Sequence, residues 1–551
     1  MNYEPMVSQN NSLISVAALV GAHSVILGFD FLGTQATRKQ EFLGFAVHRT
    51  VKTEESAAWL KGQLRFKWDT ADFGEDVPTN RGPLQKFHWG DYTTKPGHEY
   101  VCRIHPVFGP AINSPEKFRL GDSLEISFKT ALPDDGILGL HFNRGVTAAP
   151  AYLQRFRDRP PKDVPDGAAF AWLSRGLKEA LVDFIRQVEP GDELKVAIYE
   201  FEHESVIDAL KQAKKKGAHI SIVFHAKPNE KQTRQNKAHI GKLNLPNKQV
   251  IPRTNVGNIS HNKFIVLKRK GSDQPERVWT GSTNFTEAGL FLQTNVGIVS
   301  REKTIAEAFD RYFDLLAQDL EAERMKPATE TLVQTLRSGP AVGQRLFFSP
   351  VKGKELIDVA IDLIKDAQDA IFFSCPFGLD KAIVDALNAN QKRILEYGLV
   401  NTTNRARLKK VLKWDVNSWF ASPAYLKEFD ARLWDAKAYG NHKIHVKSLV
   451  TDPWGANPRV LLGSANFSDE SANKNDENAL LIEGDRRAAA IATTEFMRMF
   501  DHYKFRDFMK RTKKKTEQRN LDGTGAWAEK YYSPNSSGLR DREVFAAGVT
   551  P

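Results

Sequence analysis

The feature that most constrains this chain is a motif that occurs twice. His445-Val446-Lys447 is followed by Asp452 and then by Gly463-Ser464-Ala465-Asn466-Phe467-Ser468, which reads H-x-K-x-x-x-x-D, a short loop, and G-S-x-N. Upstream, His261-Asn262-Lys263 precedes Gly281-Ser282-Thr283-Asn284-Phe285-Thr286. A pattern that returns at this distance marks a duplicated structural unit, so the elements around each copy should recur in the same order.

They do recur on a periodicity reading. Residues 169–188 have helical spacing and stop at Pro190-Gly191. Residues 193–200 read as a strand, 205–216 as a helix ending at Gly217, and 219–224 as a second strand. A polar stretch, 226–258, leads to the first motif, and 304–320 is a closing helix. The second round runs helix 356–365, strand 370–374, helix 381–388, strand 394–400, polar segment 401–440, second motif, and closing helix 486–500. This β-α-β order predicts α/β folding, with mixed sheets flanked by helices. The halves are placed at 168–335 and 340–502, with the break near Ser338-Gly339-Pro340.

Residues 1–160 read differently. The runs 24–31, 42–50, 99–108, 124–130 and 137–142 are short, apolar and β-branched, and turn chemistry such as Pro133-Asp134-Asp135-Gly136 separates them. An all-β sandwich is expected, and the stretch from Asp91 to Val101 loosely resembles the late strands of a fibronectin type III domain. Trp59, Trp68 and Trp89 are read as core aromatics. Asn143-Arg144-Gly145 either reaches a neighbouring site or forms a capped turn. Residues 503–551 form a basic tail, with Lys504, Arg506, Lys510, Arg511 and Lys513 to Lys515 near Phe505, Phe508, Trp527, Tyr531 and Tyr532. Such interleaving can grip a nucleic-acid strand, or can be a solvated helix end with a surface-hugging tail.

Charge narrows the partners. The chain of 551 residues carries a net charge of +11, which suits a polyanion such as nucleic acid or an acidic lipid surface. Cys102 and Cys375 are the only cysteines, which excludes a disulfide scaffold and fits a reducing compartment. The apolar run 13–27 has no Lys or Arg before it and is too short to span a bilayer, so buried strands, no transmembrane segment and a cytoplasmic location are expected. Oligomeric state is left open.

On a strand, residues i and i+2 share a face, so each H-x-K would project an imidazole and an ammonium together. The hydroxyls of Ser282 and Ser464 and the amides of Asn284 and Asn466 can bond phosphate oxygens or fix the histidines. Two such sets around one tetrahedral anion fit phosphodiester cleavage without a metal or other cofactor. One histidine attacks phosphorus, and the other protonates the leaving oxygen and later activates water. A metal site is the rival reading of a histidine cluster, but a lysine two residues from each histidine opposes a divalent cation.

The residues His445, Lys447, Asp452, Gly463, Ser464 and Asn466, with Asp476-Glu477-Asn478 downstream, resemble the signature of the phospholipase D superfamily over roughly residues 168–502. The resemblance implies a two-half α/β fold with the site between the halves. It also implies His261 as nucleophile, His445 as general acid, and catalytic parts for Lys263, Lys447, Asn284, Asn466, Asp452 and Glu477. The first copy departs from the pattern. Lys268 stands where an Asp is expected, the loop to Gly281 is two residues longer, and Gln293, Thr294 and Asn295 occupy the region matching Glu477. Either the halves share Asp452 and Glu477 across their interface, or the first half is degenerate. A nuclease acting on DNA or RNA leads; a phospholipase D-type lipid hydrolase or transphosphatidylase, and a phosphate-binding protein without strong catalysis, are the alternatives.

Overall fold

The computed structural model describes residues 1–69, 75–111, 118–145, 150–157, 159–337, 343–390, 394–401, 418–421, 443–511, 520–534 and 536–546. Two seven-stranded mixed sheets dominate it. The first runs, edge to edge, Leu138–Phe142, Val296–Ser300, Pro275–Gly281, Lys263–Lys268, Glu193–Ile198, His219–His225 and Val250–Arg253. The second repeats this order with Gln344–Ser349, Glu477–Glu483, Arg459–Gly463, Lys447–Thr451, Ala370–Ser374, Leu395–Leu399 and Ser418–Ala421. In each sheet the last three strands are parallel and the rest antiparallel.

Alternation along the strands builds the layers. In Lys263–Lys268, Phe264 and Val266 face a core shared by both sheets, while Ile265 and Leu267 face the outer helices of the first half. Phe372 and Val450 join the same shared core, and Phe373 and Leu449 face the outer helices of the second half. The middle layer holds the helices Lys303–Ala317 and Arg486–Arg511. The second of these has Ala488, Ala489, Ala490 and Ala492 buried, because a helix packed on several sides needs small apolar residues around its circumference. A Cβ on Gly21, in the turn between two N-terminal strands, would lie 2.1 Å from Thr494 Oγ1 of this helix, so only glycine fits that approach.

The N-terminal region is two antiparallel sheets packed face to face. One contains Met6–Asn10, Ile14–Val20, Val25–Phe31 and His88–Asp91; the other is built on Phe42–Val51 and Glu99–Phe108. Three expectations change here. The run 137–142 does not belong to the sandwich: Leu138–Phe142 pairs antiparallel with Val296–Ser300 as the edge strand of the first α/β sheet. The helix read over 169–188 is two, Ala168–Ser174 and Leu177–Arg186, divided where Arg175 and Gly176 take left-handed backbone.

The third change concerns the C-terminus. Residues Lys513 to Lys515 lie outside the described residues, but the aromatics beyond them are no strand-gripping tail. Ala528 and Tyr531 complete the sandwich core, Trp527 Nε1 donates to the Phe42 carbonyl at 2.8 Å, and Tyr532 donates to Asp30 at 3.0 Å. The helix Ser537–Ala546 then ties sandwich to second half, where Asp541 accepts from His88 at 2.6 Å and from Tyr397 at 2.6 Å. Ser338-Gly339-Pro340 and most of 401–440 also lie outside the described residues. Among the described residues no helix is long and apolar enough to cross a membrane.

Candidate active site

Each motif begins two residues before its strand. The strands start at Lys263 and Lys447, and the histidines before them cross to the other half. The His261 N–H donates to the Asp476 carbonyl at 2.9 Å, and the His445 N–H to the Thr294 carbonyl at 3.2 Å. Residues 476 and 294 immediately precede Glu477 and Asn295. Two-fold pseudosymmetry therefore places the head of each motif against the segment that follows G-S-x-N in its partner.

Those crossings fix the side-chain partners. His261 Nδ1 lies 3.1 Å from Glu477 Oε1, off line for a good hydrogen bond, and His445 Nδ1 lies 2.8 Å from Asn295 Oδ1. Asn295 Nδ2 donates to the Gly289 carbonyl at 2.9 Å, so its oxygen is the group that faces His445. The proton of His445 accordingly sits on Nδ1, and Nε2 is left for chemistry. Glu477 is held by Ser471 Oγ at 2.6 Å, Asn475 Nδ2 at 2.7 Å and the Asn466 N–H at 3.1 Å. One motif histidine therefore has a carboxylate behind it and the other has an amide.

Both motif lysines are buried and fold back onto their own motif: Lys447 Nζ donates to the His445 carbonyl at 2.8 Å, and Lys263 Nζ to that of His261. Burial lowers Lys263 to about 7 against the pull of Glu477 and Glu200, and holds Lys447 well below the usual lysine range, with Lys263 repelling it further. Burial, followed by the two ammoniums, keeps both histidines far below the usual imidazole range. Burial raises Glu477 to about 7. Excess positive potential among buried groups is the electrostatic complement of an anion.

Other candidate residues divide. Asn284 enters the site with its Nδ2 donating to Glu200 at 2.5 Å, and its Oδ1, like that of Asn466, is buried without a hydrogen-bond partner. Glu200, just past the end of strand Glu193–Ile198, orients this asparagine. Ser282 and Ser464 are fully buried with their hydroxyls turned inward: Ser282 Oγ donates to Asn295 Oδ1 at 2.8 Å, and Ser464 Oγ accepts the Asn478 N–H at 3.0 Å. They brace the loop and do not present a hydroxyl to a ligand.

Asp452 does not reach the site. It stands at the far end of strand Lys447–Thr451, and its carboxylate accepts the backbone N–H groups of Gln368, Asp369 and Ala370 at 2.8–3.2 Å. The first half, with Lys268 at this position, closes its corresponding turn through Asp192, which accepts from Glu189 N at 2.8 Å and Lys270 N at 2.9 Å. The acid missing from the first motif is thus a missing turn cap, supplied from the opposite strand, and not a missing catalytic group.

Several residues escaped the sequence reading. Asn295 stands as far beyond Gly281 as Glu477 does beyond Gly463, so equal spacing marked it while the search for an acid passed over it. His225 accepts the Ser260 N–H at 3.2 Å and donates from Nε2 to Glu230 at 2.6 Å, fixing the approach to His261. Arg253 pairs with Asp476 at 2.9 Å, both of them fully buried. Tyr199 lies edge-on to His261 at 5.0 Å between ring centroids, and Phe377, 45% exposed, lies edge-on to His445 at 5.7 Å. No local motif distinguishes these four. Among the described residues no group of three or more His, Cys, Asp or Glu side chains is arranged to hold a metal ion.

The family model described as "Cardiolipin synthase, PLD-like domain" matches twice, over residues 181–317 and 360–500, together about half of the chain. Similar solved structures include phosphatidylserine synthase from Haemophilus influenzae (13% identity, 63% of this chain and 94% of that one, TM-score 0.42). Another is polyphosphate kinase from Porphyromonas gingivalis (14% identity, 56% of this chain, TM-score 0.37), of whose length this chain spans only 43%. A third is Nuc, a phospholipase D family member from Salmonella typhimurium (22% identity, 25% of this chain and 84% of that one, TM-score 0.21). No curated protein sequence matches. With two matched domains, two sheets of identical strand order and two crossed His-x-Lys motifs, the chain belongs to the phospholipase D superfamily of phosphodiester-processing enzymes.

Proposed function

We propose that this protein is a metal-independent phosphodiesterase that works through a covalent phosphohistidine, and that its substrate is DNA or RNA. The observation that carries the mechanism is the unequal support of the two histidines. His261 has the Glu477 carboxylate at Nδ1. Attack of its Nε2 on phosphorus makes an N–P bond and leaves positive charge on the ring, which a carboxylate stabilises more strongly than a neutral amide does. His445, backed by the Asn295 amide, is the proton carrier. It gives a proton to the leaving oxygen as the P–O bond breaks, then takes one from water as that water attacks phosphorus and the N–P bond breaks.

Binding itself prepares His445. Lys447 and Lys263 depress its affinity for a proton, second only to burial. A phosphodiester anion between the ammoniums offsets that repulsion, so the imidazolium required as general acid forms with substrate in place. The two lysines and the amides of Asn284 and Asn466 then stabilise charge developing on the equatorial oxygens.

A polymeric substrate is supported by charge and by the walls of the site. The chain carries a net charge of +11, and the exposed Phe377 ring beside His445 offers a face to a base. The test incubates the purified protein, with EDTA, with labelled DNA, RNA and phosphatidylcholine. Cleavage of nucleic acid lost in both His261→Ala and His445→Ala supports the proposal. Headgroup release or exchange with untouched nucleic acid overturns the substrate, and inertness toward all three overturns the activity.

A further inference from the structure

We infer that Asn143, outside both segments matched by the family model, is a positioning residue that sets the orientation of His445 through Asn295. The inference rests on the phosphodiesterase reading for its kinetic consequence but not for its structural one.

The geometry is a chain of saturated contacts. Asn143 follows edge strand Leu138–Phe142, is 1% exposed, and extends the pairing of that strand with Val296–Ser300 by one step. Its N–H donates to the Asn295 carbonyl at 3.3 Å, and its Oδ1 accepts the Asn295 N–H at 2.8 Å. Its Nδ2 faces the carbonyls of Gly289, Leu290 and Gln293 at 3.3, 3.0 and 2.8 Å. Two of these carbonyls, on Gly289 and Gln293, are also the acceptors of Asn295 Nδ2. Asn143 therefore fixes the backbone of Asn295 and the cage that decides which way its amide points. The amide direction in turn dictates that His445 carries its proton on Nδ1.

The pseudo-repeat offers an internal comparison. Register places Ser349 opposite Glu477 as Asn143 would stand opposite Asn295. Ser349 Oγ donates to the Asn475 carbonyl at 3.0 Å, and Asn475 Nδ2 donates to Glu477 at 2.7 Å. In both halves the residue at the end of the edge strand holds the group that backs the opposite histidine. Asn143 is itself clamped from the helix Arg486–Arg511 of the second half. Arg498 donates to its carbonyl at 2.9 Å and to that of Arg144 at 3.0 Å, while Glu495 bridges Arg498, Arg175 and Ser24 of the sandwich. The sandwich is thereby coupled to the site by hydrogen bonds.

The experiment makes Asn143→Ala and Asn143→Ser in the full chain. Nitrogen-15 NMR of labelled histidine, with the His445 signal assigned by its disappearance in His445→Gln, reads the tautomer directly. Wild type should show a single Nδ1-protonated His445; Asn143→Ala should show mixed tautomers, with Asn143→Ser between them because its hydroxyl can still donate to one carbonyl. On a cleaved phosphodiester, kcat should fall about 10- to 100-fold in Asn143→Ala with KM within about twofold, as expected for displaced catalytic geometry. If Asn143→Ala does not fold, Asn143→Ser decides alone. A His445 spectrum identical to wild type in a folded variant, or a change confined to KM, overturns the inference. A wild type inert to every phosphodiester leaves the tautomer measurement to decide it, while overturning the proposed function instead.

Discussion

Asp452 is the residue on which sequence pattern and tertiary structure disagree most openly, and replacing it separates the two accounts. Its carboxylate accepts the N–H groups of Gln368, Asp369 and Ala370 in the manner of a helix cap, and its own backbone has a φ of 48°. Loss of a capping carboxylate costs about 1 kcal/mol. Alanine at a left-handed position costs about 1 kcal/mol more. Asp452→Ala should therefore destabilise the protein by about 2 kcal/mol. Asp452→Asn keeps one acceptor oxygen and tolerates left-handed backbone, so its loss should stay under about 1 kcal/mol. Urea unfolding followed by tryptophan fluorescence measures both as shifts of midpoint. Phosphodiester cleavage, assayed well below that midpoint, should stay within about threefold of wild type in Asp452→Asn, since no atom of the site contacts the residue. A variant of unchanged stability but with activity as low as that of His445→Ala would refute the argument and return Asp452 to the chemistry.

Four further outcomes follow from the geometry. In His445→Ala, a substrate with a good leaving group should still phosphorylate His261, and the acid-labile phosphoprotein should accumulate because water is no longer activated; intact-mass spectrometry detects it, and labelling that persists in His261→Ala would reverse the assignment. Burial raises Glu477 from 4.5 to about 7, so the folded state holds this proton more tightly, and the associated stability is complete below about pH 4.5 and lost as pH rises through about 7. Urea midpoints of wild type and Glu477→Gln should diverge across that window, to the disadvantage of wild type at its upper end; a constant difference would remove the raised carboxyl. Phe377→Ala should raise KM for an oligonucleotide about fivefold or more, in line with the loss of one stacking contact, with little change in kcat; an unaltered KM would deny Phe377 a role in binding. Burial alone would raise Glu495, but Arg175 and Arg498 bring it down to about 2, so Glu495→Gln leaves two buried guanidiniums short of their counter-charge and should cost about 3–5 kcal/mol by thermal or urea unfolding.

The sequence by itself determined the duplication, the two α/β halves, the identity of both His-x-Lys pairs and the phosphodiester chemistry they imply, because these properties are local. Apolar alternation sets the faces of Lys263–Lys268 and Lys447–Thr451, and glycine in each G-S-x-N allows its loop to close on the next strand. Tertiary structure alone decided which support serves which histidine. Glu477 backs His261 and Asn295 backs His445 across 216 and 150 residues, respectively, of sequence separation, and no spacing rule within one motif can express a contact made by its partner. For the same reason the missing acid of the first motif was misread. Asp452 shares a motif with His445 in sequence, yet a strand rises about 3.3 Å per residue, so a residue five places beyond Lys447 lies at the other end of the sheet. Likewise, Leu138–Phe142 alternates like any sandwich strand, and only the free edge of Val296–Ser300 drew it into the first half, bringing Asn143 within reach of Asn295 and the site.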